Sequence, residues 1–167
     1  TRDRLLVEDV DPADLLDDSV VDIVPDLSAH WQKSLHLFAT VQVKWRAFLQ
    51  ESGALDAAAR RNRLFDHAAA RFAKHPPETP IVAAGVTSPA PALARLLKTV
   101  SELPQGAVIL PDFDLTLADE VWDELGRAGA APGPGETPFA RDDAVTHPQY
   151  HLKLLLNRMG VAREEVR

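Results

Sequence analysis

The chain has no cysteine, one methionine, one tyrosine and no apolar run long enough to cross a membrane. The missing thiols exclude disulfides, thiolate zinc sites, iron–sulfur ligation and cysteine nucleophiles. A membrane span needs about 18 consecutive apolar residues, so none is expected. The first residues are charged and carry no apolar core of a signal peptide, and a cytoplasmic location is expected. The chain opens on Thr1 instead of Met, as expected of a piece cut from a longer protein. Two catalytic signatures are also missing. There is no Gly-x-x-x-x-Gly-Lys-Ser/Thr phosphate loop, and no Gly-x-Ser-x-Gly elbow surrounds Ser28, Ser88 or Ser101.

What is present can build a core. Of 167 residues, 46% are hydrophobic, which argues against wholesale disorder. The net charge of −7 resides at one end: up to Asp26 there are nine acids against two arginines, and beyond it 16 acids balance 16 bases. Contact with nucleic acid elsewhere on the chain is therefore not opposed by overall charge.

The spacing of apolar residues predicts the organisation. Residues 1–26 read as one or two short helices with turns at Asp11-Pro12 and Pro25. Asp26 or Ser28 can cap a long helix carrying Trp31, Leu35, Phe38, Trp45 and Leu49 on one stripe, ended by Ser52-Gly53. Asp56 can cap a second helix over 56–74, stopped by Pro76-Pro77. Two apolar runs, 80–85 and 107–110, suit strands buried on both faces, and the helix expected between them over 90–102 makes a parallel β-α-β unit. A helix follows over 117–127 with Val121, Trp122 and Leu125 inward. A Gly/Pro linker spans 129–138, and a last helix runs from near Pro148 to Gly160. The expected fold class is thus α/β, with a helical lobe over 1–76 and an incomplete parallel lobe over 77–167. A two-stranded parallel sheet exposes both edges, so further strands are expected in sequence beyond this chain, and the open edges favour self-association.

Five stretches in order carry a resemblance. They are Val24-Pro25-Asp26-Leu27 with Ala29-His30-Trp31-Gln32, Arg60-Arg61-Asn62-Arg63-Leu64, Pro80-Ile81-Val82-Ala83-Ala84-Gly85, Leu103 to Pro111 (LPQGAVILP), and His147-Pro148-Gln149-Tyr150 with Gly160-Val161-Ala162-Arg163. Together they resemble the alphaproteobacterial AddB family, the subunit that pairs with AddA in the bacterial double-strand-break repair helicase–nuclease. The resemblance covers most of the chain. It implies an internal fragment of the N-terminal helicase-like half, a RecA-like motor core that has lost motor function and serves as a scaffold. An AddA-type motor/nuclease subunit is the implied partner, DNA is contacted through the parent protein, and no cofactor is held in this segment. In keeping with a lost motor, Gly85-Val86-Thr87-Ser88-Pro89 follows the first strand where a working motor would carry metal-binding acids. One departure stands out: the family pattern implies a glycine in the turn where this chain has Pro111-Asp112-Phe113-Asp114.

Those acids create a rival reading. Asp112-Phe113-Asp114-Leu115-Thr116 after a buried strand is similar to the first motif of the haloacid dehalogenase phosphatases. There Asp112 would attack phosphorus and Asp114 would act as acid/base, with Mg²⁺ between them. That motif normally opens its domain, whereas here about 50 residues follow and Lys153 is the sole later lysine. The alternative is a turn whose acids cap the helix near residue 117.

Three weaker constellations remain. Arg60, Arg63, His67, Arg71 and Lys74 fall within a sector of roughly 80° on one helix and are the candidates for contact with DNA phosphates. His147 and His151 have the i,i+4 spacing of a metal pair, but the expected reading is a helix start and its surface, with no metal site. Trp31, Trp45 and Trp122 sit on apolar stripes and are expected in the core. A helical protein-interaction module without a DNA role is the third reading of the whole.

Overall fold

The computed structural model describes residues 2–16, 29–130 and 143–167. The proposed caps Asp26 and Ser28, the turn at Pro25 and most of the Gly/Pro linker lie outside the described residues. The chain is a mixed helix-and-sheet protein, mostly helical, with one two-stranded parallel sheet. It divides into two compact units, Thr1–Arg63 and Leu64–Arg167. The division falls inside a helix, earlier than the lobe boundary expected at 76. In the second half of that helix Asp66 accepts both Nε (2.8 Å) and Nη2 (3.1 Å) of Arg95.

In the first unit, α1 (Arg2–Val7) is followed by a 3-10 turn (Pro12–Leu16) and the long α2 (Ala29–Glu51). Asp11 organises the turn. Its Oδ1 accepts the Ala13 amide at 2.9 Å and its Oδ2 meets Arg46 of α2 at 2.8 Å, which together hold its carboxyl below the usual value. Ala39 of α2 is fully buried beside this turn. The α2 stripe is less buried than its spacing predicts. Leu35, Phe38 and Leu49 are half-buried, but Trp31 is 62% and Trp45 40% exposed, so neither tryptophan is a core residue. The short elements packed against α2 are too small to cover a face of six turns. Gly53, in the left-handed region (φ 62), closes the helix as its sequence suggests, with the Ala54 amide returning to the Leu49 carbonyl. Asp56 caps α3 (Ala57–Lys74) by accepting the Ala58 amide at 2.9 Å. Asn62 of α3 is buried and donates to the Leu6 carbonyl at 2.6 Å, closing the unit.

In the second unit, β1 (Ile81–Ala84), α4 (Pro91–Ser101) and β2 (Gly106–Ile109) form the expected parallel β-α-β unit. Ile81 pairs with Gly106 and Ala84 with Ile109. The strands are not buried on both faces, however. Inward residues Ala83 and Val108 pack on the core, whereas the other face is open, with Val82 56% and Ile109 54% exposed. Among the described residues one helical layer covers the pair. That layer is α4 against α6 (Tyr150–Met159), and Ala94, Leu97, Leu155 and Met159 form the seam between them. α6 ends at Gly160, which is left-handed (φ 64), as Gly is suited to do. The helix expected over 117–127 is shorter, α5 (Asp119–Glu124). Leu125 is buried and Trp122 half-buried, but Val121 is on the exposed side, since a single-turn helix presents only one residue row to the core. Among the described residues no helix is long and apolar enough to cross a membrane.

Candidate functional site

The β2–α5 loop carries Asp112, Asp114 and Thr116, and its geometry is that of a self-contained turn. Asp114 Oδ1 accepts both the Thr116 amide (2.8 Å) and the Thr116 hydroxyl (2.7 Å). These bonds hold the Asp114 carboxyl below the usual range, with Arg163 adding a smaller pull. The bonds to Oδ1 favour the ionised carboxylate. Asp112 is exposed and left-handed, with φ 53. Its carbonyl accepts Gln149 Nε2 at 2.7 Å, and Gln149 Oε1 accepts the Asp114 amide at 3.1 Å, so one buried glutamine clamps both ends of the turn. The acids do not cap the following helix. α5 begins at Asp119 behind Ala118, with no side-chain cap, because Asp114 is too early in the chain and is spent on its own turn.

A glycine would adopt the left-handed backbone at position 112 freely, where an aspartate tolerates it at some cost. Asp112→Gly is therefore expected to leave the thermal midpoint unchanged or raise it. Asp112→Val is expected to lower stability by about 1–2 kcal/mol; thermal melts of the two variants beside wild type check this.

Around the turn lies a layered cation–aromatic stack. Phe113 meets the Trp122 ring edge-on at 5.7 Å, Arg163 lies 5.2 Å from the ring centre, and Lys153 Nζ lies 5.5 Å from it. Arg163 also bonds Asp119 Oδ1 at 2.6 Å and the Leu117 carbonyl, fixing the start of α5 to the C-terminal segment. Lys153 is buried and donates to the Trp122 carbonyl at 2.6 Å, so the sole lysine after the Asp-x-Asp motif is occupied in packing α6 on α5. Burial pushes its ammonium below the ordinary value of 10.5, against the opposing pull of Asp123 and Asp143. A lysine whose folded pKa is depressed binds its proton less well folded than unfolded. Stability should therefore rise with pH between that depressed value and 10.5. Tyr150, raised by burial and then by its bond to Asp143, acts oppositely above 10.0. The difference in urea midpoint between wild type and Lys153→Met isolates the lysine: it should shift in favour of wild type as pH rises from neutral towards 10.5.

A second anchor was not evident from the sequence. Asp143 accepts the Arg127 amide (2.9 Å), the Ala128 amide (3.2 Å) and the Tyr150 hydroxyl (2.9 Å), holding the left-handed bend at Gly126 and Ala128. Nothing in its spacing distinguishes it from Asp142 beside it. Gln149, in contrast, lies in one of the stretches carrying the resemblance.

The two histidines lie on different elements. His147 lies in the turn ahead of α6, where its Nδ1 accepts the Gln149 amide at 3.1 Å, while His151 is on the helix with its ring against Tyr150. Among the described residues no cluster of three or more metal-capable side chains forms.

The α3 candidates are all on the outside. Arg60, Arg63, His67, Arg71 and Lys74 are exposed, and among the described residues none of them is ion-paired. The acid nearest them on the helix, Asp66, is committed to Arg95. From Arg60 to Lys74 the row runs about 21 Å along the helix. Leu64, 56% exposed, lies beside it, and half-buried Phe65, Ala68 and Phe72 occupy the inner side.

No protein-family model, curated protein or solved structure matches this chain.

Proposed function

We propose that this chain is a non-catalytic, helicase-like scaffold segment of a DNA double-strand-break repair helicase–nuclease, as its resemblance to AddB implies. In this reading it supports an AddA-type motor subunit and guides DNA with the outer face of α3. The observation that carries the scaffold role is the unfinished sheet. Its outward row, Val82, Ala84, Ala107 and Ile109, is apolar and exposed, and parallel sheets are ordinarily covered on both faces. A larger RecA-like core would supply the missing layer and neighbouring strands. The Asp112–Thr116 turn is in keeping with this reading, since the Asp114 carboxylate closes the turn on Thr116 and the Asp112 backbone carbonyl is held by Gln149.

DNA guidance rests on the exposed cations of α3, which would neutralise phosphates without reading bases. Fluorescence anisotropy with labelled DNA at low salt tests it. Wild type should bind with an affinity that falls steeply as salt rises, and Arg60→Glu/Arg63→Glu/Arg71→Glu should abolish binding without loss of helicity. Binding unchanged in the triple variant would refute guidance by α3. No binding by wild type would leave a purely protein-binding scaffold, the reading as a helical interaction module.

A further inference from the structure

His67 stands at the middle of the basic row on α3. Arg63 and Arg71 lie one turn to either side of it, about 6 Å away along the axis and about 40° around it. Arg60 and Lys74 lie two turns away, within about 20° of its line. All five side chains are exposed. Asp66, the sole acid of the helix, is the neighbour of His67 in sequence. Both of its oxygens are engaged from α4: Oδ1 accepts Arg95 Nε at 2.8 Å and Oδ2 accepts Arg95 Nη2 at 3.1 Å. The charged groups around the imidazole are therefore the four cations of its own row and an acid already matched by Arg95. Within the row, the imidazole is the one group of a type that changes charge near neutral pH.

We propose that His67 makes the α3 row a pH-graded phosphate site, in which the protonated imidazole takes a DNA phosphate and tightens the hold on DNA as pH falls. The inference rests on the reading of α3 as the surface that guides DNA. A phosphate opposite the middle of the row, between Arg63 and Arg71, meets His67 there. A protonated imidazole donates from both nitrogens and brings a charge to the contact, whereas a neutral one donates from a single nitrogen and brings none. Without DNA, that added charge faces the flanking guanidiniums. A bound phosphate replaces this repulsion with attraction, so the DNA-bound chain holds the proton more tightly than the free chain. By linkage, the gain in affinity is fully present below the imidazole value of the free chain and is lost as pH rises through that of the complex. A coupling of about one pK unit around an ordinary imidazole makes binding roughly fivefold tighter at about pH 6 than at about pH 8.

Fluorescence anisotropy of the full chain with labelled DNA, at constant ionic strength and at those two pH values, tests the proposal. Wild type should bind roughly fivefold more tightly at the lower pH. Its slope of log affinity against log salt should be steeper there by up to about 0.9, the effect of one further phosphate neutralised. His67→Gln should match wild type at the higher pH and lose the gain at the lower, and His67→Lys should bind tightly at both. His75→Gln, at the exposed histidine just beyond α3, should keep the wild-type response. Both positions are exposed, so circular dichroism should be unchanged in all three variants. Wild-type affinity that is the same at both pH values, or a wild-type response that persists in His67→Gln, would overturn the proposal; loss of binding in Arg60→Glu/Arg63→Glu/Arg71→Glu would then still uphold guidance by α3. No binding at either pH, or binding that survives this triple variant, would overturn guidance by α3 and this inference with it.

Discussion

Leu155→Ala is expected to destabilise the second unit by about 2–5 kcal/mol, the range for emptying a fully buried leucine site. Leu155 is 0% exposed, and it sits where α6 meets α4, in contact with the cluster of Ala94, Leu97 and Met159. Its neighbour Ala94 is itself fully buried, and Ala83 and Val108 of the sheet pack against the same cluster. The site therefore has little freedom to collapse around the missing atoms, which places the cost in the upper part of the range. Small domains are stable by only about 5–15 kcal/mol, so a large share of the total would be lost. Urea unfolding of the variant beside wild type measures it. A loss below about 1 kcal/mol would mean that the α4–α6 seam is not the core of this unit.

Gly106→Ala is the second large effect, and its cause is steric. A β-carbon on Gly106 would fall 1.8 Å from the Val100 carbonyl oxygen and 2.8 Å from Leu103 Cβ. The first obstacle is backbone in the last turn of α4, so no side-chain rotation relieves it. Either the end of α4 or the start of β2 must shift, which breaks the Ile81–Gly106 pairing or the turn in which the Gly106 amide reaches the Leu103 carbonyl. The expected cost is about 3 kcal/mol or more. Gly85→Ala is a useful contrast. There the added atom meets nothing within 4 Å, and only the left-handed backbone (φ 72) opposes it. That cost should be about 1 kcal/mol. Thermal or urea midpoints should rank Gly106→Ala well below Gly85→Ala, and the reverse order would contradict the close helix–strand approach.

The elements that are punctuated by their own residues were legible in the sequence. Asp56 and the Pro76-Pro77 pair bracket α3, Gly53 closes α2 and Gly160 closes α6, each through chemistry local to the chain. The parallel pairing of the two short strands followed from the helix between them. Burial was less legible, because periodicity shows which face is apolar and not whether anything covers it. Trp31, Trp45, Val82 and Ile109 lie on apolar rows and are exposed for want of a neighbouring layer. Val121 failed for a related reason, as α5 is too short to turn it inward. At the candidate site the local half of the turn could be read, since Asp114 and Thr116 are two residues apart. The clamp by Gln149 joins residues 35 and 37 positions apart, and no local pattern announces such a contact.

We propose that Asp112 and Asp114 belong to a turn in a scaffold segment and perform no phosphoryl chemistry. Mg²⁺-dependent hydrolysis of a generic aryl phosphate, with wild type beside Asp112→Asn, tests it most directly. The account predicts no turnover above that of the variant, with the two proteins equally stable to within about 1 kcal/mol. Turnover by wild type that disappears in Asp112→Asn would make the chain a phosphatase of the haloacid dehalogenase type and contradict the scaffold reading.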